Sequence, residues 1–488
     1  MSPMQNCGNV LRFWKRGKII ELNDVPPDRM LLDVLREDLR ICDVKEGCAA
    51  GDCGACTVVI AHSTDGVKLN YQAINSCIRP AHAVHGMALW TAADLANENE
   101  LHPSQAALIA KHGTQCGFCT PGIVMSLFAL YQRTCAKGRD VSKAQATDAL
   151  SGNLCRCTGY RSIIDAALSM SSYSMPVEDE KEISVKLKEI AARDPEIMKY
   201  DIPTDLLTAL KLRAKFSDAQ LIAGATDVGI WVKQGMRQLT QIIDLHRVEE
   251  LLQIEVTANH LCVGAAVPLQ EAFNAIAKDR PKVQEFARRF AGWPVRQSGT
   301  LGGNVANGSP IGDSMPLLLA LDATVVLKAW RDHKVFSREL PLSEFYLGYR
   351  QHALAMDEIL VCIKIPHPKN EEWLGLYKVS KRHEDDISAV CMVIRVDMQG
   401  RYLDRVRIGV GGVAPTPIRA ISTEEVFHGK EDTHEIWLAA QSSITNEFAP
   451  ISDLRASGEY RKELLGNLIK RAYLERTNHS NMRLEDLA

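Results

Sequence analysis

Eight of the fourteen cysteines fall in four short stretches between residues 48 and 157, CAAGDCGAC, NSC, CGFC and CRC. In a long chain such clusters point to metal ligation or redox chemistry rather than to a disulfide framework. Cys48, Cys53 and Cys56 follow C-x4-C-x2-C, and Cys77 supplies a fourth thiol further on, which is the plant-type spacing for a 2Fe-2S cluster and not a usual zinc spacing. Gly47, Ala49, Ala50, Gly51, Gly54 and Ala55 are small enough for the backbone to wrap a cluster and aim N–H groups at its sulfurs. Cys116 and Cys119 in QCGFCTPG, with Cys155 and Cys157 in GNLCRCTGYR, form a second set. By spacing alone this set stays open between an iron–sulfur cluster and a four-thiolate zinc site, with a redox dithiol at Cys116 and Cys119 as a weaker reading. Arg156 and Arg161 are candidate counter-charges.

Two glycine-rich stretches could do a different job. LIAGATDVG, residues 221–229, reads as strand, glycine loop and helix, and GTLGGNVANGSPIGD, residues 299–313, reads as a long loop. Neither carries G-x-G-x-x-G, so a Rossmann nicotinamide fold is not supported. Successive backbone N–H groups in such loops make nests suited to a diphosphate, although two ordinary surface loops are the rival reading. Iron–sulfur clusters move electrons singly, and flavin is the cofactor that converts between single electrons and pairs.

The elements that must position these residues follow from periodicity. VLRFWKRGKIIEL predicts two strands around a turn at Arg16-Gly17, PDRMLLDVLREDL a helix, and TVVIA a strand, together a small α+β module to about residue 92. From 103 to 173 four short helices are predicted, with each cysteine pair of the second set in a break between two of them. Thr120-Pro121 is predicted as cap and first residue of the second helix. Residues 173–200 mix Ser, Pro and alternating charge and predict a linker with one surface helix. LIAG, LCVGAAV, ATVVL and LVCIKI predict strands of an α+β or α/β domain to about 377. AVCMVIRVD and VRIGVGGVAP predict later strands, and EYRKELLGNLIKRAYLER a closing helix with Leu464, Leu465, Leu468, Ala472 and Tyr473 on one side.

A chain of 488 residues with 46% apolar and 24% charged residues can bury roughly three or four cores of ordinary domain size. The formal net charge of -3 gives no electrostatic case for nucleic acid. Neither a signal peptide nor a membrane span is evident in the sequence, so the expectation is a cytoplasmic protein without membrane insertion.

KEGCAAGDCGACTV, NSCIRP, QCGFCTPG and GNLCRCTGYR, in this order and at these separations, resemble the tandem 2Fe-2S region of the xanthine dehydrogenase (molybdenum hydroxylase) family. The resemblance implies a multidomain α+β chain. Its parts would be a β-grasp, ferredoxin-like 2Fe-2S domain at 1–92, a four-helix-bundle 2Fe-2S domain at 93–172 and a linker at 173–200. An α+β FAD-binding domain of the vanillyl-alcohol-oxidase and CO-dehydrogenase-flavoprotein type would follow at 201–377, then a CO-dehydrogenase-flavoprotein-like α+β domain at 378–488. It implies Cys48, Cys53, Cys56 and Cys77 as ligands of a first 2Fe-2S cluster, and Cys116, Cys119, Cys155 and Cys157 as ligands of a second. FAD contacts carried over by position are Leu221, Ile222, Ala223, Gly224, Ala225, Thr226, Asp227 and Val228, then Thr300, Leu301, Gly302, Gly303, Asn304, Asp313, Leu360 and Lys378. Phe290 matches an aromatic beside the flavin ring, and Arg382, Asp385 and Asp386 match a loop that affects nicotinamide access. Arg289 stands where animal members have a tryptophan, which puts oxidase-type switching in doubt. Cys7, Cys42, Cys135, Cys262, Cys362 and Cys391 match no ligand motif and read as small hydrophobes.

Because the sequence lacks the molybdopterin domain of eukaryotic members, it resembles the small subunit of bacterial two-subunit enzymes. The resemblance then implies an electron-transfer subunit with two 2Fe-2S clusters, FAD and NAD as acceptor. A larger partner subunit, in an α2β2 heterotetramer, would hold the molybdenum cofactor and hydroxylate a purine with water as oxygen source. This chain would supply no catalytic residue for hydroxylation. The alternatives are the equivalent subunit for an aldehyde, carbon monoxide, nicotinate or aromatic thioester substrate, a zinc-binding interaction protein, and a stand-alone diaphorase.

Overall fold

In a computed structural model, residues 10–63, 66–96, 100–173, 179–191, 199–383 and 385–477 are described. They belong to two compact units, one made of 1–204, 218–247 and 291–299, the other of 205–217, 248–290 and 300–488. These units cut across the expected FAD-binding domain at 201–377, because the chain passes from one unit to the other and back within it.

The first unit contains a mixed five-stranded sheet in the order Lys18–Leu22, Leu11–Lys15, Ala88–Trp90, Thr57–Ser63, Leu69–Asn75. The first hairpin turns on Arg16 and Gly17, with φ of 49° and 73°, the left-handed pair that a two-residue turn requires. Ala88–Trp90 inserts between the two hairpins, parallel to Leu11–Lys15 and antiparallel to Thr57–Ser63, as in a β-grasp. Val58 and Ile60 pack on one face with Leu31, Leu32 and Leu35, while Val59 and Ala61 pack on the other with Trp90 and Phe128. Burial on both faces is why TVVIA reads as a continuous apolar run rather than an alternation.

The four expected helices form at Pro103–Ala110, Thr120–Arg133, Lys143–Leu150 and Arg161–Ser169. Their core continues into the sheet: the rings of Tyr71 and Phe128 meet edge to face at 5.9 Å, and those of Trp90 and Phe128 lie 6.0 Å apart. The expected boundary at 92/93 therefore runs inside one compact unit. The helix at Glu180–Ala191 lies where a linker with a surface helix is predicted, but Ile183, Leu187 and Ile190 are buried in this same core. Residues 174–178 and 192–198 of that stretch lie outside the described residues. A small parallel sheet, Tyr200–Asp201, Ile242–Asp244 and Gln220–Ile222, completes the strands of this unit, so LIAG pairs here.

The other three predicted strands join an antiparallel sheet of the second unit, in the order Lys334–Pro341, Thr324–Arg331, Glu358–Pro366, His260–Gly264, Ile254–Val256. A four-stranded sheet in the same unit, Trp373–Val379, Val390–Gln399, Tyr402–Gly411 and Ile418–Arg419, shares a core with the helices Ile421–Phe427, His434–Glu447 and Gly458–Arg476. The closing helix buries Leu465, Leu468, Ile469 and Ala472, with Leu464 and Tyr473 packed at the margin.

Candidate functional site

The loop from Glu46 to Cys56 leads into the strand Thr57–Ser63 and carries three of the first four thiols. The fourth, Cys77, lies in the single turn Ser76–Ile78 that ends the strand Leu69–Asn75. Ala49, Gly51 and Gly54 take φ of 54°, 80° and 65° and curl this loop. A Cβ on Gly54 would lie 2.3 Å from the Gly152 carbonyl oxygen, so the loop tolerates no side chain there. The N–H groups of Ala50, Asp52 and Cys53 donate to Cys48 Sγ at 3.4, 3.3 and 3.4 Å. Asn75 donates to the Gly51 carbonyl, and the Ser76 hydroxyl donates to that of Cys56 at 2.7 Å.

Hydrogen bonds from Cys53 and Cys77 hold the Cys48 thiol far below its ordinary pKa, and one from Cys77 lowers Cys56. Cys53 and Cys77 are pushed up, first by those same bonds and then by burial. Cys56 and Cys77 are buried, whereas Cys48 and Cys53 are half-buried.

The second set is built from helix termini. Cys119 is the N-cap residue of Thr120–Arg133, one position earlier than predicted, and the Thr120 hydroxyl pairs with that of Thr114 at 2.6 Å instead of capping the helix. Cys155 and Cys157 precede the helix Arg161–Ser169, and Gly117, Gly159 and Tyr160 supply the left-handed turns. Cys116 is linked in its ionisation to Cys157, and Cys119 to Cys155. The Phe118 N–H and then the Cys157 thiol lower Cys116, whereas Cys157 is raised by Cys116. Burial and Cys155 push Cys119 up to about 12. Burial is the largest influence on Cys155 and opposes its ionisation, but hydrogen bonds from Thr158, whose hydroxyl lies 3.1 Å from the sulfur, together with those from Cys119 and Cys157 leave the thiol lowered. Cys116 and Cys157 are exposed, as are Phe118 and Leu154 beside them. Arg156 and Arg161 are also exposed, and the charges acting on Cys116, Cys119 and Cys157 are those of the other thiols.

Among the described residues no group of three or more His, Cys, Asp or Glu is arranged around one point as a single metal ion requires. In the first set Cys48 interacts with both Cys53 and Cys77, and Cys77 with Cys56; in the second, Cys116 interacts with Cys157 and Cys119 with Cys155, so each set offers four thiols to a two-iron cluster. The backbone donors at Cys48 suit a sulfur that stays negative. Of the remaining cysteines, Cys391 is buried, Cys135, Cys262 and Cys362 are half-buried, and Cys42 is exposed rather than a core hydrophobe. Cys7 lies outside the described residues.

The first glycine loop runs from the strand Gln220–Ile222 to the helix Val228–Lys233. A Cβ on Gly224 would lie 2.0 Å from the Ser298 carbonyl oxygen, and Ala225 has φ of 58°. Among the described residues the N–H groups of Gly224, Ala225 and Thr226 have no hydrogen-bonded acceptor, as a diphosphate nest requires. A small cleft beside them is lined by Asn75, Ile78, Arg79, Gly224, Thr226 and Ser298, so it borders the shell of Cys77.

The second loop differs from expectation. Thr300 caps a helix at Leu301–Asn307, and the amides expected to form a nest are already engaged: Leu301 donates to Val267 O, Gly302 to Ala265 O and Gly303 to Thr300 Oγ1, each at 3.0 Å. Gly302 is there because a Cβ would lie 2.4 Å from that of Ala265. Asn304 Oδ1 accepts from the Ser314 hydroxyl at 2.5 Å. Asp313 and Lys378 form a buried ion pair at 2.8 Å, and the Ser388 hydroxyl donates to Asp313 at 2.6 Å. Leu360 is buried in its strand, and Phe290 packs 5.5 Å from Phe273. The Arg289 guanidinium donates to the carbonyls of Lys378 and His383 at 2.9 and 3.0 Å, and Arg382 folds back on Asp386 and the Asp385 carbonyl. The amides of 224–226 thus fit a diphosphate, whereas those of 301–303 are already engaged.

Asn75 and Asn153 carry parts of this architecture that the cysteine spacing does not reveal. The only local signal is that each lies two residues before a cysteine.

Four family models match the chain in order: a 2Fe-2S iron-sulfur cluster binding domain at 15–81, a [2Fe-2S] binding domain at 91–168, an FAD binding domain in molybdopterin dehydrogenase at 196–368 and a CO dehydrogenase flavoprotein C-terminal domain at 375–476. The xanthine dehydrogenase of Drosophila subobscura is 30% identical over 97% of this chain and 40% of its own length. Aldehyde oxidase 1 of Bos taurus is 30% identical over 96% of this chain and 39% of its own. The chain thus spans about 40% of the length of these relatives. Among solved structures, the carbon monoxide dehydrogenase of Hydrogenophaga pseudoflava matches with a TM-score of 0.53 and 27% identity, over 56% of this chain and 95% of that one. Quinoline 2-oxidoreductase of Pseudomonas putida 86 matches with a TM-score of 0.52 and 26% identity, over 57% and 96%. Two 2Fe-2S domains followed by the two flavoprotein domains are the iron–sulfur and flavin arrangement of the molybdenum hydroxylases, and the chain belongs to that family.

Proposed function

We propose that this chain is the electron-transfer subunit of a xanthine dehydrogenase, serving a partner subunit that hydroxylates hypoxanthine or xanthine at a molybdenum cofactor and delivering the electrons to NAD. What supports this reading is the order along the chain of two 2Fe-2S domains, each spanning four of the eight cysteines, followed by two flavoprotein domains. When bound, 2Fe-2S clusters supply single-electron transfer and FAD the exchange of electron pairs with a nicotinamide.

The residues of this chain hold, orient and insulate. Cys48, Cys53, Cys56 and Cys77 would hold one cluster, and the N–H groups of Ala50, Asp52 and Cys53 would offset negative charge on sulfur. Cys116, Cys119, Cys155 and Cys157 would hold the other. The amides of Gly224, Ala225 and Thr226 would take the FAD diphosphate, with Leu221 to Ala223, Asp227 and Val228 flanking them. Phe290, Thr300, Asn304, Asp313, Leu360 and Lys378 are further proposed contacts, and Leu301 to Gly303 would contribute shape rather than amide donors. The partner would be a larger molybdopterin-binding subunit in an α2β2 assembly in the cytoplasm. Among the described residues no helix is long and apolar enough to cross a membrane.

A second reading keeps the cofactors and changes the partner's substrate, because aldehyde oxidase 1 of Bos taurus is as similar, at 30% identity, as the xanthine dehydrogenases. Purification from the native source, with metal and flavin analysis of every copurifying chain, separates the two. The expected result is about four irons and one FAD on this chain, molybdenum on a larger one, and purine-dependent NAD reduction. Molybdenum with aldehyde but no purine turnover would favour the second reading, and reproducible absence of molybdenum would overturn both.

A further inference from the structure

Asn153 lies two residues before Cys155, yet its side chain serves the other quartet. It is 2% exposed. Its Nδ2 donates to the Gly54 carbonyl at 3.1 Å and to Thr57 Oγ1 at 3.3 Å, between Cys53 and the strand that follows Cys56. Its Oδ1 accepts from the Ser126 hydroxyl at 2.6 Å, on the helix capped by Cys119. Its backbone carbonyl accepts from the Tyr160 hydroxyl at 3.1 Å, and that hydroxyl accepts the Cys155 N–H at 2.8 Å. The next residue, Leu154, donates its N–H to the carbonyl of Cys53 at 2.9 Å, which links a thiol-bearing residue of one quartet to the neighbour of one in the other. Around this junction the backbones touch: a Cβ on Gly122 would lie 2.1 Å from Gly54 O. One buried carboxamide therefore ties three chain segments that carry ligands of both sites, and leaving its partners unpaired would cost more than an exposed bond.

We propose that Asn153 is a positioning residue that fixes the separation and orientation of the two quartets. The proposal rests on the reading that the quartets hold 2Fe-2S clusters. It is tested in the full chain, reduced with dithionite and frozen, by electron paramagnetic resonance at low temperature together with iron analysis. Two reduced clusters held in one geometry split or relax each other's signals, a readout that a purely structural brace of one loop would not move. Asn153→Asp keeps the shape but cannot donate to the Gly54 carbonyl, and it is expected to retain both signals and lose the splitting. Ser126→Ala removes only the outer bond and is expected to weaken the splitting less. Wild-type splitting in Asn153→Asp would overturn the proposal, as would loss of either signal alone, which would make Asn153 a local brace of that quartet. If Asn153→Asp takes up iron at neither site, Ser126→Ala decides: reduced splitting supports the proposal and unchanged splitting overturns it. A wild-type chain that binds no iron would instead overturn the reading of the quartets themselves.

Discussion

The two quartets solve the same chemical problem with opposite means. The first is a glycine-curled loop against a sheet, with two thiols buried and three backbone N–H groups aimed at Cys48. The second is assembled from the starts of two helices, with Cys116 and Cys157 exposed and Phe118 and Leu154 beside them. A loop whose backbone supplies its own donors must be packed to hold its shape. A site made from helix ends inherits its shape from the helices and can stay open at the surface. Damage at the first site should therefore spread into the core, whereas damage at the second should stay local.

The largest contrast is expected from cysteine removal. Cys77→Ala and Cys157→Ala should each leave about half of the iron, measured by metal analysis. Only Cys77→Ala should also lower the melting temperature, by several degrees, because Cys77 is 1% exposed in the core of the sheet. Equal melting temperatures for the two variants would break the contrast.

A matched pair of glycines sharpens it. Gly54 and Gly117 both have positive φ, of 65° and 84°, so alanine costs about 1–2 kcal/mol of backbone strain at either. A Cβ at Gly117 meets nothing within 4 Å, but at Gly54 it meets backbone at 2.3 Å. Gly54→Ala should thus cost on the order of 3 kcal/mol or more in urea unfolding, and Gly117→Ala only the strain. Similar midpoints would mean that the loop around Gly54 yields without cost.

The same contrast explains what the sequence could and could not reveal. Thiol spacing is local, so both quartets are legible as ligand sets, and the four helices are legible from their apolar stripes. Asn75 and Asn153 are not legible as struts because their acceptors, Gly51 and Gly54, lie 24 and 99 residues away in sequence. The stretch 299–313 looks like a loop because four of its residues in the helical part are Gly or Asn, yet the Thr300 cap and the engagement of Leu301 and Gly302 with Ala265 to Val267 make it helical. The helix Glu180–Ala191 shows its apolar spacing, but no local signal says that Ile183, Leu187 and Ile190 find a core rather than water.

The smallest expected effect lies in the helix that feeds the second quartet. Ser142 and Gln145 form a capping box at the start of Lys143–Leu150: the Gln145 N–H donates to Ser142 Oγ at 3.3 Å and the Ser142 N–H to Gln145 Oε1 at 2.9 Å. Loss of such a cap costs about 1 kcal/mol. The helix runs directly into Ser151 and the turn before Cys155, so a frayed start loosens the frame of one thiol pair without touching a ligand. Ser142→Ala should lower the melting temperature by a degree or two, an effect of about the size that 1 kcal/mol produces in a large domain. It should also speed chelator removal of iron from the second quartet while leaving removal from the first unchanged. Faster loss from both would show that the helix frame is shared, and the distinction between a self-supporting loop and a borrowed frame would fail at its weakest point.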